Sequence, residues 1–174
     1  MRTLVLGGAR SGKSAHAEGL LGDGPVDYLA TARRQPDDPE WEARIAAHVA
    51  RRPPHWRTVE SSDLPAALRA AGPVPVLVDD VATWLTRELD DEGAWDGGPE
   101  ALLACRARGA ELVVAVVACP VRLVLVSAEV GLGVVPATPA GRLFRDELGA
   151  LNAELAAVCE QVLLVVAGLP VRLR

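Results

Sequence analysis

The sequence predicts an α/β protein whose central sheet is mostly parallel and is covered by helices on both faces. Short apolar segments alternate with helical segments through most of the chain, and the first apolar segment runs straight into a phosphate-loop pattern. The 174 residues are 50% hydrophobic, which is enough for one domain with a full core. We therefore expect residues 1–174 to form a single nucleotide-binding catalytic domain.

The phosphate-loop pattern occupies residues 7–14, GGARSGKS, which match G-x-x-x-x-G-K-[ST] directly after the apolar segment 1–6. Glycine permits a sharp turn in which several backbone N–H groups point at one phosphate, and the helix that follows adds its positive end. Lys13 is expected to reach the outer phosphates, and the Ser14 hydroxyl is expected to ligate Mg²⁺. Lys13 is also the only lysine in the chain, so lysine is kept where this loop requires it.

Further strands and helices follow in the first half of the chain. We predict a strand at 1–6, helix at 14–21, strand at 26–30, loop at 33–38, helix at 39–52, strand at 56–59, helix at 64–71, strand at 74–78 and helix at 82–89. Gly22 and Gly24 end the first helix, and Pro53 and Pro54 must stop the helix before them.

The second half contains one ambiguous segment, residues 100–118. Its valine-rich part, 111–117, resembles a strand, but a strand there would leave Cys119 and Pro120 as the whole link to the next strand. We predict a helix, because parallel neighbours need a longer crossover. The remaining predictions are an acidic, glycine-rich loop at 90–98, strand at 123–127, helix at 141–159, strand at 162–166 and strand at 169–173 after a Gly168 turn.

The composition argues against several classes of protein. A net charge of −5 without a basic block gives no electrostatic footprint for nucleic acid. The stretch 112–126 is interrupted by Pro120 and Arg122 and is too short for a membrane span. Three cysteines without metal spacing suit a reducing compartment and small core positions, and the loop pattern begins too early for a signal peptide. We expect a cytoplasmic protein.

Asp79 ends an apolar strand, the usual setting of an acid that holds Mg²⁺ beside a phosphate loop. Asp80 competes for that role, and either carboxylate could instead cap the next helix.

His48 is a candidate nucleophile. On a helix, Arg44, His48 and Arg52 share one face, with Arg51 at its edge. Nearby cations favour a neutral imidazole, and arginines hold phosphate, so the cluster suits a histidine that carries a nucleotidyl group. A solvated, arginine-rich face with an incidental histidine remains the alternative.

Other candidates have weaker patterns. Glu60 could accept hydrogen bonds from a guanine edge or be an ordinary exposed strand end, and Glu129 follows a strand where ligand sites gather. His16 and His55 are interpreted as structural or solvent-facing.

Seven ordered blocks together carry a family resemblance over nearly the whole chain. They are GGARSGKS at 7–14, YLATA at 28–32, RIAAH at 44–48, RPPHWRTVE at 52–60, VLVD at 76–79, EVGLGVVP at 129–136 and GRLFRD at 141–146. They closely resemble the bifunctional adenosylcobinamide kinase/adenosylcobinamide-phosphate guanylyltransferase family of cobalamin biosynthesis.

The resemblance implies a RecA-like P-loop fold, a homotrimer and two reactions. ATP or GTP would phosphorylate the side-chain hydroxyl of adenosylcobinamide, and GMP from GTP would then be transferred to give adenosyl-GDP-cobinamide. The guanylyl group would travel on His48, Lys13 would assist catalysis, and Ser14 with Asp79 would hold Mg²⁺. The implied nucleotide contacts are Gly7, Gly8, Ala9, Arg10, Ser11, Gly12, Lys13, Ser14, Thr31, Arg51, Arg52 and Glu60.

The chain departs from the family pattern at three places. Ala128 replaces an asparagine, Ala137 and Thr138 replace a Glu-Asn pair, and Asp80 replaces a commonly uncharged residue. The loss of the asparagine and the glutamate keeps one rival open: an enzyme with one of the two activities, either a plain small-molecule kinase or a transferase alone. The second rival, from another class, is a nucleotide-binding regulatory or assembly module without turnover, against which the intact set of Lys13, Ser14, Asp79 and His48 argues.

Overall fold

The computed structural model describes residues 1–32, 43, 46, 49, 50 and 52–174. The strands are β1 Arg2–Gly7, β2 Asp27–Ala30, β3 Arg57–Glu60, β4 Val76–Asp79, β5 Leu123–Ala128, β6 Gln161–Val166 and β7 Leu169–Arg172. In the described part of the chain, the helices are α1 Lys13–Gly19, α2 Leu64–Arg69, α3 Val81–Asp91, α4 Pro99–Ala118 and α5 Pro139–Val158.

The described strands form one seven-stranded sheet in the order β3-β2-β4-β5-β1-β6-β7. All neighbouring pairs are parallel except β6 and β7, which form an antiparallel hairpin. The hairpin turn uses Ala167 and Gly168, both with positive φ. The predicted α/β architecture with a mostly parallel sheet is thereby confirmed.

Alternating strand residues divide the core between the two faces of the sheet. Leu4 and Leu6 of β1 pack in a cluster with α2, α3, α4 and α5, whereas Val5 packs in a second cluster with Ala17 of α1. Because both faces of the inner strands β1, β4 and β5 are buried, these strands are mostly apolar rather than alternating with polar residues, whereas the edge strand β3 is largely exposed. Within the described residues, no helix is long and apolar enough to span a membrane.

Most predicted elements are found within a few residues of their expected bounds, including the crossover helix α4 in place of a valine-rich strand. The acidic loop expected at 90–98 begins later, because α3 continues through Asp91, whose carboxylate lies 3.6 Å from Arg87 one turn earlier. The predicted loop 33–38 lies outside the described residues, as does most of the predicted helix 39–52. Ala43, Ala46, Val49 and Ala50 within that segment are helical.

Candidate active site

The polar candidates predicted from the sequence gather at the carboxyl edge of the sheet. The strand register aligns Ala30 with both Glu60 and Asp79, and Gly7 with both Ala128 and Val165. Parallel strands bring their carboxyl ends to one edge, where ligands of α/β sheets bind. The edge therefore collects the phosphate loop, Thr31, Asp79 and Glu60.

The phosphate loop, residues 7–14, is shaped by close backbone approaches. A Cβ atom on Gly7 would lie 2.8 Å from the Val165 carbonyl oxygen and 2.4 Å from Ser11 Oγ, so the position requires glycine. Gly12 has φ +90° and packs against Gly168, whose N–H donates to the Ser11 carbonyl at 2.8 Å. The β6–β7 turn, which is distant in sequence, therefore packs against the phosphate loop and stabilises its shape.

Two features of the loop fit a bound phosphate. α1 begins at Lys13, directly after Gly12, so the helix N-terminus opens into the loop. Ser11 Oγ is buried and has no hydrogen-bond partner within the described part of the chain, which suits a donor awaiting an anion. Lys13 Nζ lies 3.5 Å from the Gly8 carbonyl oxygen and is only partly exposed.

Asp79 links the loop to the sheet through two hydroxyl groups. Ser14 Oγ donates to Asp79 Oδ1 at 3.3 Å, and the Tyr28 hydroxyl donates to Asp79 Oδ2 at 2.5 Å. A serine that donates its proton to a carboxylate keeps its oxygen lone pairs available for a cation. Ser14 and Asp79 therefore fit Mg²⁺, which proteins hold through few side chains plus substrate phosphates.

The two adjacent aspartates have different partners. Asp80 is the N-cap of α3, and its carboxylate accepts from the Thr83 N–H at 2.6 Å. Burial raises the pKa of Asp80, while that N–H opposes the rise. The Thr31 hydroxyl donates toward the Asp80 carbonyl at 2.8 Å, so Thr31 lies against the backbone of this pair. Asp79, and not Asp80, contacts Ser14.

Arg52 is the member of the predicted histidine–arginine cluster that the structure describes. Its guanidinium carbon lies 3.2 Å from the centre of the Tyr28 ring, and Nη1 donates to Thr58 Oγ1 at 3.1 Å. Glu60 is exposed at the end of β3. Arg44, His48 and Arg51 lie outside the described residues, and their cluster stays a prediction.

The segment after β5 is fixed at both ends. The Glu129 N–H donates to the Gly7 carbonyl at 3.1 Å, and Asn152 Nδ2 donates to the Ala128 carbonyl at 3.0 Å. Thr138, one of the departures from the family pattern, caps α5 by accepting from the Gly141 N–H at 3.1 Å. Arg142 Nη1 donates to the Ala137 carbonyl at 2.8 Å. These departures therefore leave an ordered, hydrogen-bonded segment.

The cysteines are core residues rather than nucleophiles. Cys105 and Cys159 are buried, and burial raises the pKa of each thiol to about 11. Cys119 is partly buried on the same side of the sheet. This agrees with the interpretation from the sequence.

Sequence reasoning missed Tyr28 as a site residue. The side chain is 2% exposed, and burial together with the Asp79 charge raises the pKa of its hydroxyl. The hydroxyl of a buried tyrosine usually has a hydrogen-bond partner. A tyrosine in the predicted strand 26–30 was therefore a signal that a polar group lies nearby. The partner itself depends on β2 lying beside β4, which the sequence did not specify.

Comparison with known proteins decides the family. The family model described as cobinamide kinase / cobinamide phosphate guanyltransferase matches residues 3–173. The chain belongs to this family. It is therefore an enzyme of the cobinamide kinase / cobinamide phosphate guanyltransferase family, as the ordered sequence blocks predicted.

Relatives of this cobinamide kinase / guanyltransferase chain match over their full length. The bifunctional adenosylcobalamin biosynthesis protein CobP of Pseudomonas aeruginosa is 46% identical, covering 100% of this chain and 98% of the relative. The bifunctional adenosylcobalamin biosynthesis protein CobU of Escherichia coli is 43% identical, covering 100% of both chains.

Among solved structures, an ATPase from the type III secretion system of pathogenic bacteria matches with a TM-score of 0.56 at 11% identity. The match covers 98% of this chain and 56% of that ATPase. At this identity the likeness concerns the fold alone, and it agrees with the predicted RecA-like P-loop architecture of the cobinamide kinase / guanyltransferase chain.

Proposed function

We propose that this enzyme phosphorylates the side-chain hydroxyl of adenosylcobinamide with ATP or GTP, and then transfers GMP from GTP to give adenosyl-GDP-cobinamide. Family membership and relatives with this bifunctional description support the proposal. The observation that carries it is the phosphate loop whose Ser14 pairs with Asp79 at the carboxyl edge of the sheet.

For the kinase step, we propose that the backbone N–H groups of Gly8, Ala9, Arg10, Ser11 and Gly12 surround the phosphates while Lys13 contacts the outer ones. Ser14 and Asp79 would hold Mg²⁺, which when bound supplies neutralisation of phosphate charge. The acceptor hydroxyl attacks the γ-phosphorus in line, and the bond to the nucleoside diphosphate breaks. The protein stabilises this transition state through the backbone N–H groups of the loop, which are already oriented towards the phosphates.

For the transfer step, we propose that a neutral imidazole nitrogen of His48 attacks the α-phosphorus of GTP. A P–N bond forms, the bond to pyrophosphate breaks, and pyrophosphate leaves. A phosphate oxygen of cobinamide phosphate then attacks the same phosphorus and displaces the histidine. Thr31, Arg51, Arg52 and Glu60 are proposed nucleotide contacts in this half.

The proposed enzyme is a cytoplasmic homotrimer that acts on a corrinoid and on nucleotides, without nucleic acid. Exposed apolar side chains on α4, namely Leu103, Val114 and Val117, supply surface that a subunit contact could bury. Sedimentation equilibrium of the purified chain is expected to give three times the monomer mass, and a monomer would contradict the trimer.

The transferase half is tested by incubating the protein with Mg²⁺ and α-labelled GTP, denaturing it and measuring label on the chain. Acid-labile, alkali-stable label is expected in the parent protein, because a phosphoramidate has that stability. His48→Ala should abolish the label. His55→Ala, which removes an exposed histidine of the same region, should keep it.

The kinase half is tested separately with γ-labelled ATP and adenosylcobinamide. Transfer of label to the corrinoid is expected, and Lys13→Ala should reduce it. Corrinoid labelling without any chain labelling would favour the single-activity kinase. The observations that support this alternative are the departures from the family pattern at Ala128 and at residues 137 and 138. Nucleotide binding without either labelling would favour the regulatory module.

A further inference from the structure

Tyr28 lies between Asp79 and Arg52, which have separate roles in the proposed reaction. It lies on β2 opposite Thr58 of β3 and Leu77 of β4. Its ring belongs to the core cluster under α1, and its hydroxyl emerges toward Asp79. Neither the sequence pattern nor the proposed mechanism gives this side chain a task.

The hydroxyl of Tyr28 restricts the Asp79 carboxylate. Each carboxylate oxygen accepts one hydroxyl proton, Oδ1 from Ser14 at 3.3 Å and Oδ2 from Tyr28 at 2.5 Å. A carboxylate held at both oxygens keeps one orientation and still has lone pairs for a cation or for a water bound to it. The contact from Tyr28 is the shorter of these two, so its hydroxyl restrains the carboxylate more closely than the Ser14 hydroxyl does.

The ring of Tyr28 restricts Arg52. The guanidinium lies over the ring face at 3.2 Å, which is a cation–π contact, and Thr58 Oγ1 accepts from Nη1 at 3.1 Å. Arg52 Nε is buried and has no hydrogen-bond partner within the described ranges. Arg52 is therefore held in place by the ring and by Thr58, with an unsatisfied buried donor, and a guanidinium held in this way suits the binding of an anionic ligand.

We infer that Tyr28 is a positioning residue that serves both halves of the active site, its hydroxyl orienting Asp79 for the metal and its ring orienting Arg52 for nucleotide phosphate. One rigid, buried side chain thereby fixes the distance between the metal acid and the arginine. The inference rests on the proposed function, because Asp79 and Arg52 receive their ligands there.

Two variants separate the orientation of Asp79 from that of Arg52. Tyr28→Phe removes the Tyr28 hydroxyl from Asp79 and keeps the ring under Arg52. Thr58→Val keeps both Tyr28 contacts and removes the hydrogen bond by which Thr58 helps the ring to hold Arg52. Calorimetry with ATP gives the dissociation constant with Mg²⁺ and with EDTA, and the ratio of the two measures the metal contribution. No corrinoid is needed for this measurement.

Tyr28→Phe is expected to reduce the metal contribution about fivefold to tenfold, since hydrogen bonds to a charged group are worth about that much or more. The affinity in EDTA should stay unchanged in this variant. Thr58→Val should weaken binding in EDTA by about threefold and leave the metal contribution unchanged. Raised Mg²⁺ should restore the kinase rate of Tyr28→Phe.

A merely structural Tyr28 would lower both affinities together and would not be rescued by Mg²⁺; either result overturns the inference. An unchanged metal contribution in Tyr28→Phe overturns it as well. Nucleotide binding without corrinoid turnover in the parent protein would overturn the proposed function and leave this inference standing. Failure of the parent protein to bind nucleotide would overturn both.

Discussion

Individual atoms determine the shape of the phosphate loop. The space that a side chain would need at Gly7 is filled by the backbone of β6 and by Ser11, whereas no atom of the described residues lies within 4 Å of the equivalent point at Gly8. The two adjacent glycines of the motif are therefore required for different physical reasons. At Gly7 the reason is packing, and at Gly8 the open space is available to a ligand.

Gly7→Ala is expected to destabilise the protein by about 2 kcal/mol, because a Cβ at 2.8 Å from a backbone oxygen forces the strand and loop apart. Gly8→Ala should change stability by less than about 0.5 kcal/mol, since its Cβ meets open space. Urea unfolding of both variants measures the difference. Equal losses would contradict the packing explanation.

Some individual site residues could be predicted from the sequence, and others could not. The motif predicted the loop, Lys13 and Ser14 as local features. It could not choose between Asp79 and Asp80, because neighbouring strand-end residues point in different directions and the choice depends on which one faces α1. Tyr28 was missed for a similar reason: its hydroxyl finds its partner across the β2–β4 pairing, 51 residues away.

At the scale of elements, α4 is joined to α3 and α2 through one arginine. Arg108 donates to the buried Glu88 of α3 at 3.0 Å and to Asp63, the N-cap of α2, at 3.1 Å. It also pairs with Glu111 on its own helix. Because Glu88 is 6% exposed, the arginine is the group that makes its buried charge tolerable.

Arg108→Met is expected to cost about 3 kcal/mol, because it leaves the Glu88 carboxylate buried without its cation. Glu111→Gln removes a half-exposed partner of the same arginine and should cost less than about 1 kcal/mol. Chemical denaturation checks both. Adding Glu88→Leu to Arg108→Met should recover part of the loss, and a purely additive double variant would refute the coupling.

Most elements could be predicted because their signals are local. The length needed for a parallel crossover was enough to identify α4 as a helix despite its valines. The end of α3 was placed too early, because a run of acidic residues and glycines suggested a loop before the Arg87–Asp91 pair was known. The contact of the β6–β7 turn with the phosphate loop joins segments that are far apart in sequence, so it could not be predicted from any local sequence pattern.

At the scale of the whole molecule, the start of β1 is tied to the start of β6 by a charged pair. Arg2 Nη2 lies 2.5 Å from Glu160 Oε1, the Arg2 N–H donates to the other carboxylate oxygen, and the Glu160 N–H donates to the Arg2 carbonyl at 3.0 Å. The Arg2 hydrogen bonds lower the pKa of Glu160 from 4.5 to about 2. The charged pair therefore adds to the parallel ladder that already joins β1 to β6.

The melting temperature should respond to acid through this pair. Because the folded pKa of Glu160 lies below the unfolded value, its ionised form stabilises the fold above about pH 4.5, and this contribution disappears as pH falls toward 2. The difference in melting temperature between the parent protein and Glu160→Gln should therefore shrink between pH 5 and the acid limit of folding. A difference that is constant over this range would exclude the mechanism.

The position of Lys13 has a practical consequence for chemistry on the intact protein. Since every other permanent side-chain cation is arginine, the only side-chain amine stands inside the phosphate loop, partly open to solvent. A reagent selective for amines would modify that loop and the terminal amino group and no other primary amine. If the loop binds nucleotide as proposed, counting modified side-chain amines would amount to counting vacant nucleotide sites, and a fluorescent or affinity tag attached in this way would mark the proposed nucleotide site.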